Sequence, residues 1–138
     1  MSTVNESESL LDKYYAEIKQ QVDVNEFNMK EIQMKLPVSR HYWVARLMFH
    51  KKEANKLKTL RKQAKSKLHE KIEAETPAQL TAKAIDLAVE NHTIIQNIDE
   101  KIAENEIIIE FLTKTESNFR SISYDISNLI KIIELETT

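Results

Sequence analysis

Between Arg40 and Lys71 the chain carries eleven lysines and arginines but only two acids, Glu53 and Glu70. Residues of this type and density can neutralise phosphates or another anionic surface. The whole chain has a formal charge of −2, so the segment's +9 (11 − 2) leaves −11 for the rest. Charge is therefore segregated along the sequence. Each phosphate neutralised by a cation releases condensed counterions, so lysines spaced along a helix can follow a flexible strand without reading its bases. Like charges at i,i+4, such as Lys52–Lys56 and Lys58–Lys62, weaken a helix by ~0.2–0.5 kcal/mol per pair. A bound polyanion would offset that cost. The plain alternative, a solvated face on a charge-rich helix, fits the eleven-to-two ratio less well.

Aromatic side chains open the same segment. His41, Tyr42, Trp43 and Phe49 could stack on unpaired bases at roughly 1–3 kcal/mol apiece. Trp43 falls on the apolar stripe of the helix, where packing is the expected role, which leaves Tyr42 as the better stacking candidate.

Other chemistries lack their residues. The 138 residues include no glycine, which excludes a P-loop, a dinucleotide fingerprint and a nucleophile elbow. There is no cysteine, hence no disulfide and no thiolate metal site. Of the histidines, only His69 has a potential ligand at helical spacing, Glu73. No serine has an oriented His–Asp partner, and no catalytic residue, metal or cofactor is expected. Met1–Ser9 is polar, without the basic and apolar regions of a signal peptide, and reads as a disordered leader of a cytoplasmic protein. No apolar run approaches the ~20 residues of a membrane span.

The elements that must position the basic segment all read as helices. Leu10, Leu11, Tyr14, Tyr15, Ile18 and Val22 predict a first amphipathic helix. Residues 23–28 predict a break, and Asn28 with Glu31 a capping box for a short helix ending before Pro37. The basic helix is expected from residues 37–39 to about 75, with Trp43, Leu47, His50, Ala54, Leu57, Ala64, Leu68 and Ile72 on one face. Arg40, Lys51, Lys58 and Lys62 flank that face on one side, and Lys52, Lys56 and Lys67 on the other. Thr76-Pro77 reads as an N-cap and first helical position. Helix then continues from 78 to about 135, with a possible break at 113–118.

A helix of about 37 residues is about 55 Å long at 1.5 Å per residue. A compact globule of this chain length has a diameter of roughly 35–40 Å. The expectation is an all-α, elongated, oligomeric protein. In heptad register, Ala88, Ile95, Ile102, Ile109 and Ile130 occupy a, and Asn91, Ile98, Asn105, Leu112, Phe119, Ile126 and Ile133 occupy d. Ile94, Ile108, Ile122 and Leu129 at g widen the stripe, which favours more than two helices around a core. Ile95, Ile98, Ile102, Ile109, Leu112, Phe119, Ile126 and Ile133 are the oligomerisation candidates. An intramolecular bundle burying the same stripe is the alternative.

Trp43, then Lys51-Lys52-Glu53, Arg61-Lys62 and Lys65-Ser66-Lys67-Leu68, resembles the UvsY family of recombination mediators of T-even-like bacteriophages, chiefly over residues 20–70. The resemblance implies an oligomeric single-stranded DNA-binding protein that loads the phage recombinase onto DNA covered by single-strand-binding protein. It also implies that Lys65 and Lys67 take the place of the family's Lys-x-Arg pair. The DNA-binding candidates are Arg40, Tyr42, Lys51, Lys52, Lys58, Arg61, Lys62, Lys65 and Lys67. Residues 10–76 form the expected DNA-binding region and 77–138 the oligomerisation region. Two readings compete with a mediator. One is a coiled-coil adaptor whose basic helix meets an acidic partner; the other is a peripheral membrane protein, which the lack of a broad apolar face on the basic helix disfavours.

Overall fold

The computed structural model describes residues 9–76 and 80–137. Helices α1 (Leu10–Gln21), α2 (Met29–Glu75), α3 (Ala82–Glu90) and α4 (Thr93–Thr137) make up the fold, with no strand among the described residues. The all-α class is as the sequence predicts. Packing divides the described residues into two units. One unit holds residues 9–47 together with 110–137; the other holds the described residues from Met48 to Ile109.

Several boundaries differ from the sequence reading. Ser9, expected in the leader, is the N-cap of α1: its hydroxyl accepts from the Asp12 N–H at 3.1 Å, and the Asp12 carboxylate accepts from the Ser9 N–H. The rest of the expected leader, residues 1–8, lies outside the described residues. Helix α2 begins at Met29 and does not stop at Pro37. The proline interrupts one backbone hydrogen bond at a cost of ~3 kcal/mol. Met29, Ile32, Leu36, Trp43 and Leu47 are buried in one helical register across it. Each such burial contributes roughly 1.5–3 kcal/mol, so continuity wins. Asn28 does not form the expected box with Glu31; its side chain instead ties the 23–28 loop, accepting from the Asn25 N–H and donating to the Asp23 carbonyl.

Thr76 ends α2 rather than capping a new helix, since both its N–H and its hydroxyl donate to the Ile72 carbonyl. Pro77 lies outside the described residues, and the next helix starts at Ala82 with Thr81 as its cap. The second break falls at Asn91-His92, not at 113–118. Asn91 closes α3, and His92 Nδ1 accepts the Ile94 N–H at the start of α4. Through 113–118 the weak helix formers are held by tertiary contacts: Thr115 is buried, as is Phe119 just beyond, and Glu116 pairs with Arg40 of α2 in addition to Arg120 of its own helix.

In the first unit α2 and α4 run antiparallel, as the pairs Arg40–Glu116 and Gln33–Ser127 show. Helix α1 joins them through Trp43, whose ring meets Tyr14 edge-on at 5.3 Å and whose Nε1 donates to Gln21 Oε1 at 2.8 Å. Trp43 is 1% exposed, so packing is its role. In the second unit Leu68, Ile85, Val89 and Ile95 form a core flanked by Ala64 and Ile72. There, too, the helices run antiparallel, with His50 beside Asn105 and Arg61 beside Asp99. Asn105, at a d position of the heptad register, is paired within the chain. Its Oδ1 is 3.0 Å from His50 Nδ1, and its Nδ2 donates to the His50 carbonyl, so a buried polar pair is satisfied on both sides.

Candidate nucleic-acid interface

In the second unit, α2 turns His50, Ala54, Leu57, Arg61, Ala64, Leu68 and Ile72 toward α3 and α4. At 100° per residue the opposite face is led by Asn55, Thr59, Gln63 and Ser66, all exposed. Lys51, Lys58 and Lys62 border it on one side, and Lys52, Lys56 and Lys67 on the other; all six are exposed. No acid occurs between Glu53 and Glu70, and none of the six lysines has an ion pair among the described residues. Five of the sequence-predicted cations, Lys51, Lys52, Lys58, Lys62 and Lys67, thus present open charge on this one helical segment.

The remaining candidates are engaged within the chain. Arg61 donates from Nε to Asp99 Oδ1 at 2.6 Å and from Nη2 to Glu90 Oε2 at 2.9 Å. Lys65 Nζ lies 2.6 Å from Glu90 Oε1. In the first unit, Arg40 is paired with Glu116 at 2.7 Å. Tyr42, the expected stacking residue, has one ring face taken: the Arg46 guanidinium sits 4.3 Å from its centroid, and Arg46 Nη2 donates to its hydroxyl. The Arg46 Nε is buried without a hydrogen-bond partner, so this cation's place among the aromatic rings is one of packing. His69 faces Glu73 at 3.7 Å and Asp86 at 3.9 Å. Among the described residues no group of three histidines or acids could hold a metal, and no helix is long and apolar enough to cross a membrane.

Sequence reasoning does not single out Glu90 or Asp99, although they decide which cations stay open. The signal is faint: by spacing Arg61 falls within the apolar stripe and Lys65 at its edge, where a packed helix would meet them.

These pairs also set a pH dependence. The hydrogen bond from Arg61 holds the Asp99 carboxyl below its usual value. Lys65 first, and then Arg61, do the same for Glu90. A carboxylate depressed in the folded state contributes stability above its unfolded pKa of about 4, and loses it as pH falls through the folded value. The thermal midpoint of the wild type should therefore fall more steeply below about pH 4 than that of Glu90→Gln with Asp99→Asn, as followed by circular dichroism. Parallel curves would show that solvent screening leaves the pairs without net effect.

The oligomerisation candidates divide by burial. Ile95, Ile98, Leu112, Phe119 and Ile126 are buried within the single chain, as the intramolecular alternative requires, because α4 packs along α2. Ile102 and Ile109 are half-buried, and Ile133 is 38% exposed. The Gln33–Ser127 register explains the last case. Four residues beyond that pair, α2 begins at Met29 opposite residue 131, and residues 131–137 are all exposed.

No protein-family model matches the chain, and no curated protein matches it. Solved structures do. A crystal structure of the bacteriophage T4 recombination mediator protein UvsY superposes with a TM-score of 0.79 at 13% identity, over 93% of this chain and 99% of that one. A second lattice form of the same protein gives 0.77 at 12% identity, over 94% and 99%. The fold is the same over nearly the whole length of both chains.

Proposed function

We propose that the chain is a recombination mediator that binds single-stranded DNA and loads a recombinase onto DNA covered by single-strand-binding protein. It would act without a catalytic step, in the cytoplasm of the host cell if phage-encoded. The observation that carries this reading is the acid-free face of α2, where Lys51, Lys58 and Lys62 line one edge and Lys52, Lys56 and Lys67 the other. The fold shared with a phage recombination mediator supports it. Lysines without internal partners are available to phosphate, and their spacing along one helix suits a backbone rather than a compact ligand.

The test is fluorescence anisotropy of labelled oligo-dT across a salt series, with duplex as competitor. Log K should fall with log salt at about −0.7 per contact, so between about −3.5 and −5 for five to seven contacts. No binding at low salt would overturn the mediator and leave an adaptor that meets an acidic protein.

Homo-oligomerisation belongs to the same proposal. Ile132 (50% exposed), Ile133 (38%) and Leu135 (76%) lie at the end of α4 beyond the reach of α2, continuing an apolar sequence from Leu129 (45%). A second copy offers the same apolar surface in return, and the breadth of the stripe suits more than two subunits. Ile132→Glu with Ile133→Glu is expected to turn a sedimenting oligomer into monomer with helicity unchanged. Unaltered sedimentation would place assembly elsewhere.

A further inference from the structure

On the basic part of α2, Arg61 and Lys65 are the cations whose charged ends converge on one anion. Glu90 Oε1 lies 2.6 Å from Lys65 Nζ, and Oε2 lies 2.9 Å from Arg61 Nη2. Asp99 separately holds the other edge of the guanidinium, at 2.6 Å from Nε and 3.3 Å from Nη2. Glu90 is the last residue of α3. An acid there faces the negative end of the helix dipole and is unfavourable for the helix itself. Its position answers to the two cations instead.

The arrangement has the chemistry of a phosphate site. Two oxygens of one anion accept from an ammonium and from a guanidinium, as two oxygens of a phosphodiester would. The side chains of Glu90, Lys65 and Arg61 keep 43%, 39% and 26% of their surface exposed, so an incoming phosphate can reach the cluster from solvent. Asp99 keeps the guanidinium oriented whether or not Glu90 is in place. Lys65, by contrast, has Glu90 as its one ion-pair partner among the described residues.

We propose that Arg61 and Lys65 form a phosphate-binding site that Glu90 occupies in the free chain, and that a phosphate of a bound strand displaces the Glu90 carboxylate. This deepens the single-stranded DNA reading and rests on it. The open lysines, Lys58 and Lys62 among them, make the first contacts. Arg61 and Lys65 join only where a phosphate is held close enough to compete with Glu90.

The exchange is tested with Glu90→Gln, which keeps the shape and removes the competing charge. Oligo-dT affinity should rise about fivefold at 0.1 M salt, the worth of one added contact at a slope of 0.7. Glu100→Gln removes an acid of α4 that has no ion pair among the described residues, and should change affinity less. Lys65→Gln should cost little in the wild type and cancel the gain in the Glu90→Gln background. A readout without DNA accompanies these. Acylation of Lys65 by an amine reagent, followed by mass spectrometry, should be slower than that of Lys62 in the wild type and equal to it in Glu90→Gln. Wild-type binding with Glu90→Gln unchanged, or matched by Glu100→Gln, would overturn the site alone. No oligonucleotide binding by either protein would overturn the function reading and the phosphate assignment with it.

Discussion

Lys58→Glu with Lys62→Glu is expected to lower oligo-dT affinity on the order of a hundredfold at 0.1 M salt and to flatten the salt slope by about 1.4. Both lysines are exposed and have no ion pair among the described residues, so their charge is open to a phosphate. Two contacts at 0.7 each are worth about 25-fold at 0.1 M, and reversing the charge adds repulsion to the loss. The fold should tolerate the change. The two lysines repel each other at i,i+4, and neither touches the core of the second unit. Lys13→Glu with Lys101→Glu makes the same change of charge at exposed positions of α1 and α4 and serves as control. If both variants lose affinity equally, net charge and not the α2 face determines binding.

Trp43→Ala is expected to lower stability by about 3–5 kcal/mol, read from urea denaturation followed by circular dichroism. A typical domain holds about 5–15 kcal/mol in all, so the first unit would be close to unfolding. The physical cause is specific. Trp43 is 1% exposed, meets Tyr14 and Tyr42 edge-on at 5.3 and 5.1 Å, and donates to Gln21. Removing it opens a cavity and takes away the side chain on which both Tyr14 and Gln21 of α1 rest. Trp43→Phe keeps a ring but loses the N–H, and should cost about 1–3 kcal/mol. Its oligonucleotide salt slope should match that of the wild type, because a ring buried in the first unit is not available for stacking on bases. A loss below about 1 kcal/mol for the alanine variant would contradict the packing described here.

Much of this protein is legible in its residues one helix at a time. The absence of glycine and the three- and four-residue apolar spacing determine an all-α chain, because local periodicity dictates which face of a helix is buried. The segregated charge of residues 40–71 marks the candidate interface before any contact is known. Trp43 on the apolar stripe already points to packing. What the sequence leaves open depends on pairs far apart in the chain. Pro37 and the run 113–118 read as breaks because propensity is local, whereas burial of Leu36, Trp43, Thr115 and Phe119 is a tertiary term larger than the local cost. The same heptad stripe fits a neighbouring chain or the chain's own α2. Only the antiparallel packing assigns Leu112 and Ile126 to the interior and leaves Ile133 at the surface. Likewise, eleven basic residues look equivalent as a string of letters. Tertiary structure separates them, because Glu90 and Asp99 reach Arg61 and Lys65 across 25 to 38 positions of sequence and leave Lys58 and Lys62 open.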